Sequence, residues 1–329
     1  MKRLLIVDGL NIYMRNYNAN PSISTNGDPI GGCKGFLASI QKVAREVNPD
    51  KIVVIWDGEG GSLRKRKIVK EYKAGRKPVR LHRFVRDLLT EEQEMVNRAW
   101  QYERTVDYIN SMPIHQIRVD GCEADDIISY VNQMSHFDDW LKIILSSDKD
   151  FYQCVSADGD TNQTVIWRPR EKGRKEIVRQ KDLLETYAIH PINFVIARAL
   201  EGDKSDNLKG VPGVGLKTVA KRFPFLKEEK EYMLQDIFKA CEKNLGKPQI
   251  YDKILESKDL VLTNYKMMQL STPNIPFQSL AYIRAAIEEM DMSFNKTEVV
   301  TMMIKDGFGA GNWDTLYSLM KRFTLEAHL

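Results

Sequence analysis

Residues 4–9, LLIVDG, and residues 51–58, KIVVIWDG, are short apolar runs, rich in β-branched side chains, that each stop at an aspartate followed by glycine. Apolar runs without polar alternation fit strands buried on both faces, as in a parallel sheet. Three further runs, 116–119, 143–145 and 164–167, are separated mostly by helix-length amphipathic stretches. Helices are expected at 35–47, 91–112 and 124–134, where apolar residues recur at three- and four-residue spacing. Strands alternating with helices predict an α/β fold with a mostly parallel sheet flanked by helices. After Pro169 the charged stretch REKGRKEIVRQKDL predicts a hairpin or loop, leading to 183–187 and a helix near 192–200. Beyond Glu201 only helices broken by Gly and Pro are expected, which sets a domain boundary near residue 190.

With 329 residues, 43% hydrophobic and 29% charged, the chain has a globular composition, with room for one large α/β domain and a smaller module. No apolar run approaches the roughly 20 residues that cross a bilayer. The N-terminus MKRLLIVDGLNIY meets an aspartate after four apolar residues, a pattern that argues against a secretory leader. Cys33, Cys122, Cys154 and Cys241 are widely spaced with no CxxC pair, which argues against zinc and disulfide frameworks and suits a reducing, cytoplasmic setting. No repeated apolar stripe is left over for an interface, so a monomer without membrane contact is expected. The formal net charge of +4 conceals an uneven layout: from Arg64 to Arg86 there are eleven Lys or Arg residues against one acid, Glu71. The segment 58–91 is too basic and too weakly periodic for a core element, and connections of that length are often functional. It reads either as a solvated loop or as a contact for nucleic acid.

Asp8 and Asp57 close the first two strands, which places both carboxylates at the carboxyl edge of the sheet, where open α/β sheets bind ligands. A single Asp-Gly after a strand is an ordinary turn signal; two in register point to a site. The segment DGCEADDIISY adds Glu123, Asp125 and Asp126 at the start of a helix. Helix capping accounts for one or two acids in a first turn, each worth about 0.3–1 kcal/mol. Three close together repel unless something positive lies between them. SSDKDF supplies Asp148 and Asp150, and GDKSDN supplies Asp203 and Asp206. Either pair alone is compatible with a turn. Acid nevertheless recurs at strand ends and loops while the chain holds only five histidines, which favours hard, oxygen-ligated Mg²⁺ or Mn²⁺ over zinc. Carboxylates this numerous suit two ions roughly 3.5–4 Å apart, with phosphodiester hydrolysis as the reaction.

The string GVPGVGLKTVAKRF, residues 210–223, sets a glycine-rich turn directly before an amphipathic helix. Its backbone N–H groups at a helix N-terminus suit a phosphate, and Lys217, Lys221 and Arg222 add charge. It is not a Walker A loop, because GxxxxGK[ST] is absent. A helix-hairpin-helix, which grips a duplex backbone without reading bases, is the better reading.

In order, the chain shows VDGLN, WDG, YKAGR, CEADDII, SSDKDF and GDKSDNLKGVPGVGLKT. Together these resemble the 5′-nuclease family of flap endonucleases and 5′–3′ exonucleases, most like the stand-alone bacteriophage members, from residue 3 to about 223. The resemblance implies a PIN-like nuclease domain over residues 1–190, with a basic arch or clamp region at 58–112. It also implies a helical domain at 191–329, with a helix–three-turn–helix (helix-hairpin-helix) module at about 200–223. Asp8, Asp57, Glu123, Asp125 and Asp126 then correspond to a first metal site, with Asp148 nearby and shared. Asp150, Asp203 and Asp206 correspond to a second. Lys73 and Arg76 match arch-base residues that steer and polarise the scissile phosphate, and Tyr72 is expected to stack on a terminal base. Lys77, Arg80, Gly213, Gly215, Lys217 and Thr218 are expected DNA contacts. The backbone carbonyls of Val211 and Val214 match a potassium-binding turn.

The implied activity is a structure-specific 5′ nuclease, exonuclease and flap endonuclease together, acting on DNA with free 5′ ends or flaps in replication or repair, with RNA primers in RNA/DNA hybrids as further substrates. Replication proteins are conceivable partners, without a visible clamp-binding motif. Two rival readings remain: a PIN-type ribonuclease on single-stranded RNA and a non-catalytic DNA-junction binder. Residues 225–329 carry no such match and are expected to be helical. The stretch GFGAGNWDTLYSLMKRF reads as a terminal packed helix or a partner-binding tail.

Overall fold

In a computed structural model, residues 1–157, 159, 162–169, 177–246, 248–289, 293–309 and 311–326 are described. The chain opens with β1 (Lys2–Asp8), α1 (Gly9–Ala19), α2 (Gly31–Val47), β2 (Lys51–Asp57), α3 (Leu63–Ile68), α4 (Glu91–Asn110) and β3 (His115–Val119). It continues through α5 (Ala124–Asn132), β4 (Trp140–Leu145), β5 (Thr164–Trp167), β6 (Ile177–Val178), α6 (Gln180–Tyr187), α7 (Phe194–Glu201) and α8 (Leu216–Arg222). Six more helices follow: α9 (Leu234–Lys243), α10 (Ile250–Glu256), α11 (Lys258–Met268), α12 (Phe277–Glu288), α13 (Lys296–Lys305) and α14 (Asp314–Glu326).

The strands lie in the order β3-β2-β1-β4-β5-β6, all parallel except the β5–β6 pair. Alternate side chains enter two separate cores. Leu4, Ile6, Val53, Ile55 and Ile144 face one, with α5 and α7 to α12, while Leu5, Val7, Val54, Trp56 and Leu145 face the other, with α1, α2, α4, α13 and α14. Burial on both faces explains the unbroken apolar runs. Chain order reverses at β1, which leads to β2 on one side and pairs with β4 on the other. The crevice at that reversal, at the carboxyl edge, is where a doubly wound sheet binds ligands.

The two glycines after the strand-end aspartates are close-approach residues. A Cβ on Gly9 would lie 2.5 Å from the buried Trp56 ring, and one on Gly58 would lie 1.8 Å from the Val119 carbonyl oxygen. Gly58 N–H instead donates to the Cys122 carbonyl at 3.0 Å, drawing the ends of β2 and β3 together.

Within the region expected at 58–112, α4 packs against α2 and β3 and buries Tyr108 and Ile109. Elements on both sides of the expected boundary near residue 190 pack on the sheet: α7 shares a core with the strands, and α13 and α14 return to the opposite core through Val299, Leu316, Met320 and Phe323. Helix α1, whose Asn-rich sequence hides its buried Ile12, Tyr13 and Tyr17, was not expected. Residues 170–176 of the charged stretch, expected as a hairpin or loop, lie outside the described residues.

Candidate active site

Asp8 ends β1 and also caps α1, its Oδ1 accepting from Asn11 N–H at 3.4 Å. Asp57 ends β2 and accepts from Ala124 N–H, at the first turn of α5, at 3.1 Å. Beyond β4, Ser146 Oγ donates to Asp8 Oδ2 at 2.7 Å and accepts from Asp148 N–H at 3.1 Å, and Asp148 Oδ1 accepts from Asp150 N–H at 2.9 Å. These bonds tie the end of β1 to the segment after β4, and the end of β2 to α5, along one acidic edge. A cavity of about 700 Å³ opens there, lined by Asp8, Asp57, Asp125, Asp148, Asp150 and Asp206. A neighbouring cavity of about 470 Å³ shares Asn11, Arg76, Ser147 and Asp148 with it and adds Asp203. Glu123 and Asp126 line neither cavity: both are buried behind Asp125.

Crowding of buried carboxylates shows in their proton affinities. Burial, reinforced by the charges of Asp57 and Asp148, pushes Asp8 up to about 8. Burial and Asp148 bring Asp150 to about 7 against the opposing pull of Arg198. Burial also raises Asp57 and Asp148, and burial with the charge of Asp125 takes Asp126 to about 6. In Asp125, burial is outweighed by Lys65 and Lys73, which lower it. Acids that resist ionisation where they stand, with oxygen as their only donor atom, fit hard divalent cations, which would favour the charged forms.

Residues 69–89 form a strap over this edge. Lys73 N–H donates to the Asp206 carbonyl at 2.9 Å, Arg76 Nε to the Ser205 carbonyl at 2.9 Å, and Asn207 Nδ2 to the Glu71 carbonyl at 3.1 Å. The Arg76 guanidinium also pairs with the Asp206 carboxylate. Lys73 Nζ reaches Glu123 Oε1 at 2.5 Å. At its other end the strap is held by Glu94 of α4, which accepts from Leu81 N–H and Arg80 Nε, each at 2.7 Å. Pro78, Val79 and Arg80 line the main cavity with Tyr72, Lys73 and Arg76.

Two of the expected contacts already have partners within the chain. Tyr72, which lines the cavity, is 2% exposed, with its ring beneath Lys73 and its hydroxyl 3.1 Å from Glu123 Oε2. Arg80 is paired with Glu91 and Glu94 and acts as an anchor of the strap. Lys77 is exposed on the strap, and Lys217 and Gly213 are exposed at the turn before α8, with Gly215 and Thr218 partly covered. Val211 and Val214 face inward, and Val214 N–H donates to the Val211 carbonyl at 3.0 Å.

Two residues of the site were missed. Arg198, buried in α7, donates to Asp150 at 2.9 Å, Glu201 at 2.7 Å and Asp203 at 2.5 Å, joining the acids of the β4 edge to those of the 203–208 loop. A lone arginine within the apolar helix FVIARALE was a legible signal, since an arginine is rarely buried unless paired. Lys65 contacts Glu123, Asp125 and Asp126, and nothing in the run LRKRKI distinguishes it from its neighbours.

The family described as 5′-3′ exonuclease, N-terminal resolvase-like domain, matches residues 3–188. The thermostable DNA polymerase I of Thermus aquaticus is 29% identical over 273 residues, covering 82% of this chain and 29% of the polymerase. The flap endonuclease Xni of Shewanella loihica is 26% identical over 280 residues, covering 85% of this chain and 95% of that protein. The chain spans under a third of the length of the polymerases it matches. Among solved structures, the bacteriophage T5 flap endonuclease with DNA and metal ions is similar in fold, with a TM-score of 0.61 at 18% identity over 100% of both chains.

Proposed function

The chain belongs to the 5′–3′ exonuclease family, and from that premise we propose that it is a structure-specific 5′ nuclease, hydrolysing DNA at free 5′ ends and 5′ flaps in replication or repair. The observation that supports the reading is the meeting, in one cavity, of six carboxylates with Lys73 and Arg76. Asp8, Asp57, Asp125 and Asp148, backed by Glu123 and Asp126, would hold one divalent ion, and Asp150, Asp203 and Asp206 a second. Mg²⁺ is the natural occupant of such oxygen donors and Mn²⁺ a substitute. Bound there, the ions would supply activation of water and charge neutralisation at the leaving oxygen.

The chain's own residues bind and orient the substrate. Lys73 and Arg76 each rest on a carboxylate, Glu123 and Asp206, so an incoming phosphate replaces one anionic partner by another and neither cation is left bare. Leu10, Met14 and Val79 give the cavity an apolar wall that limits water around the reacting phosphate. Lys77 on the strap, with Gly213, Gly215, Lys217 and Thr218 at the turn before α8, would meet the phosphate backbone. K⁺ held by the Val211 and Val214 carbonyls belongs to the same proposal. Shape and end structure would be read instead of base identity, so RNA primers on DNA are included as substrates. The chain would act as a monomer in the cytoplasm beside replication proteins. Among the described residues no helix is long and apolar enough to cross a membrane.

The test offers a 5′-flap duplex, a matched single strand and an RNA strand, with and without Mg²⁺, to the wild type and to Asp148→Asn. Cutting of the flap duplex only with Mg²⁺, and its loss in the variant, is expected. Metal-independent cutting, or preference for free RNA, would overturn the proposal.

A further inference from the structure

Of the consecutive basic residues 64–67, three are exposed and Lys65 alone turns inward, 7% exposed. Its ammonium lies 2.6 Å from Glu123 Oε2, 3.0 Å from Asp125 Oδ2 and 3.9 Å from Asp126 Oδ2. Oxygens of these three acids all fall within 4.8 Å of one another, a spacing that could hold a metal ion. The surrounding contacts fix the acids. Asp126 Oδ1 accepts from Asn274 N–H at 2.8 Å, and Glu123 also takes Lys73 and the Tyr72 hydroxyl. Arg64, the residue before Lys65, bonds Asn274 Oδ1 at 3.2 Å, which pins α3 beside the cluster.

Three close carboxylates repel strongly in a protein interior, and a buried ammonium without partners is equally unfavourable. Each requirement satisfies the other here. We propose that Lys65 is the resident cation of this triad, holding Glu123, Asp125 and Asp126 together in the metal-free protein and competing with divalent ions for the same oxygens. Of the three acids only Asp125 reaches the cavity wall, so the lysine sets how much negative charge the site presents to an arriving ion. The inference rests on the nuclease reading only in expecting divalent ions at these acids.

The test uses the full chain and three variants: Lys65→Met, Lys65→Arg, and Lys65→Met combined with Glu123→Gln. Mn²⁺ binding is measured by calorimetry, and thermal midpoints are measured in chelator and in Mn²⁺. Lys65→Met is expected to lower the midpoint in chelator, to regain most of it in Mn²⁺, and to bind Mn²⁺ at least about tenfold more tightly than wild type. Lys65→Arg should stay close to wild type, and the double variant should recover stability in chelator because one acid leaves with the lysine. Unchanged or weaker Mn²⁺ binding in Lys65→Met, or Lys65→Arg behaving as Lys65→Met does, overturns the proposal. Flap cleavage by the wild type is assayed in parallel. Tighter Mn²⁺ binding in Lys65→Met without any wild-type cleavage would support the resident cation while removing the nuclease reading.

Discussion

Lys73 joins two demands that a lysine seldom meets. Its backbone has φ of +54°, in the left-handed region that non-glycine residues rarely occupy, and its N–H donates to the carbonyl of Asp206. Asn207, next to that carbonyl, has φ of +62°. Such strain costs on the order of 1–3 kcal/mol per residue and persists where surrounding contacts enforce it. Here it aims the Lys73 ammonium at Glu123 within the cavity. Lys73→Ala is therefore expected to slow flap cleavage by on the order of 10²-fold, with much less loss of affinity. Single-turnover rates and equilibrium binding of the same flap substrate check this. Equal losses in both would make Lys73 a general phosphate contact.

At the scale of elements, the strap is a loop fixed at both ends by charge. One end is stitched to residues 205–207, between the acids of the second cluster, and the other to Glu94 on α4. Glu94 is buried, and Tyr17 adds a hydroxyl to its backbone carbonyl at 3.1 Å. Glu94→Ala would leave the buried Leu81 amide without its charged acceptor, at roughly 1.5–3 kcal/mol, and would release the solvent-facing Arg80 guanidinium from α4. The expected outcome is faster hydrogen exchange at Leu81 with little change at the β1 amides. Uniform loss of protection would mean that Glu94 supports the whole fold. The opposite end shares Asp206 with the candidate metal cluster, so strap and acids are parts of one assembly.

Across the whole molecule, the C-terminal helices close the fold. Asp306 accepts from Arg104 at 2.6 and 3.0 Å and from the Tyr108 hydroxyl at 2.7 Å, while Lys34 Nζ donates to the Phe308 carbonyl at 2.7 Å. The stretch weighed as a packed helix or a partner-binding tail therefore packs, with Leu316 and Met320 fully buried. The sheet itself carries a liability in Lys142, buried in β4, where burial pushes its ammonium down to about 8. Below pH 8 the folded and unfolded chains both hold that proton, and the penalty is fully present. Between about 8 and 10.5 the unfolded chain holds more of it than the folded one, so stability rises with pH. Lys142→Met is expected to stabilise by up to about 3 kcal/mol at pH 7, with the difference from wild type shrinking toward pH 10.5. Thermal midpoints of both proteins across pH 7–10.5 check this, and a constant difference would place the effect in packing alone.

The five longer strands, the carboxyl-edge position of Asp8 and Asp57, and the recurrence of acid after β4 were legible in the sequence. Strand burial and strand-end chemistry are local, and they repeat along the chain in a fixed order. The division of the acids was not legible, because it depends on which side chain a neighbouring segment covers. All three acids at the start of α5 meet Lys65, but only Asp125 also lines the cavity, and Tyr72 is buried against Glu123. The return of the C-terminal helices was not legible for a similar reason, since α13 and α14 bury their apolar faces against helices formed more than 180 residues earlier. The carboxylates that opened the reading are thus present in the sequence as an inventory. Only the tertiary structure, by placing Lys65, Lys73, Arg76 and Arg198 among them, decides which acids face a ligand and which are already paired.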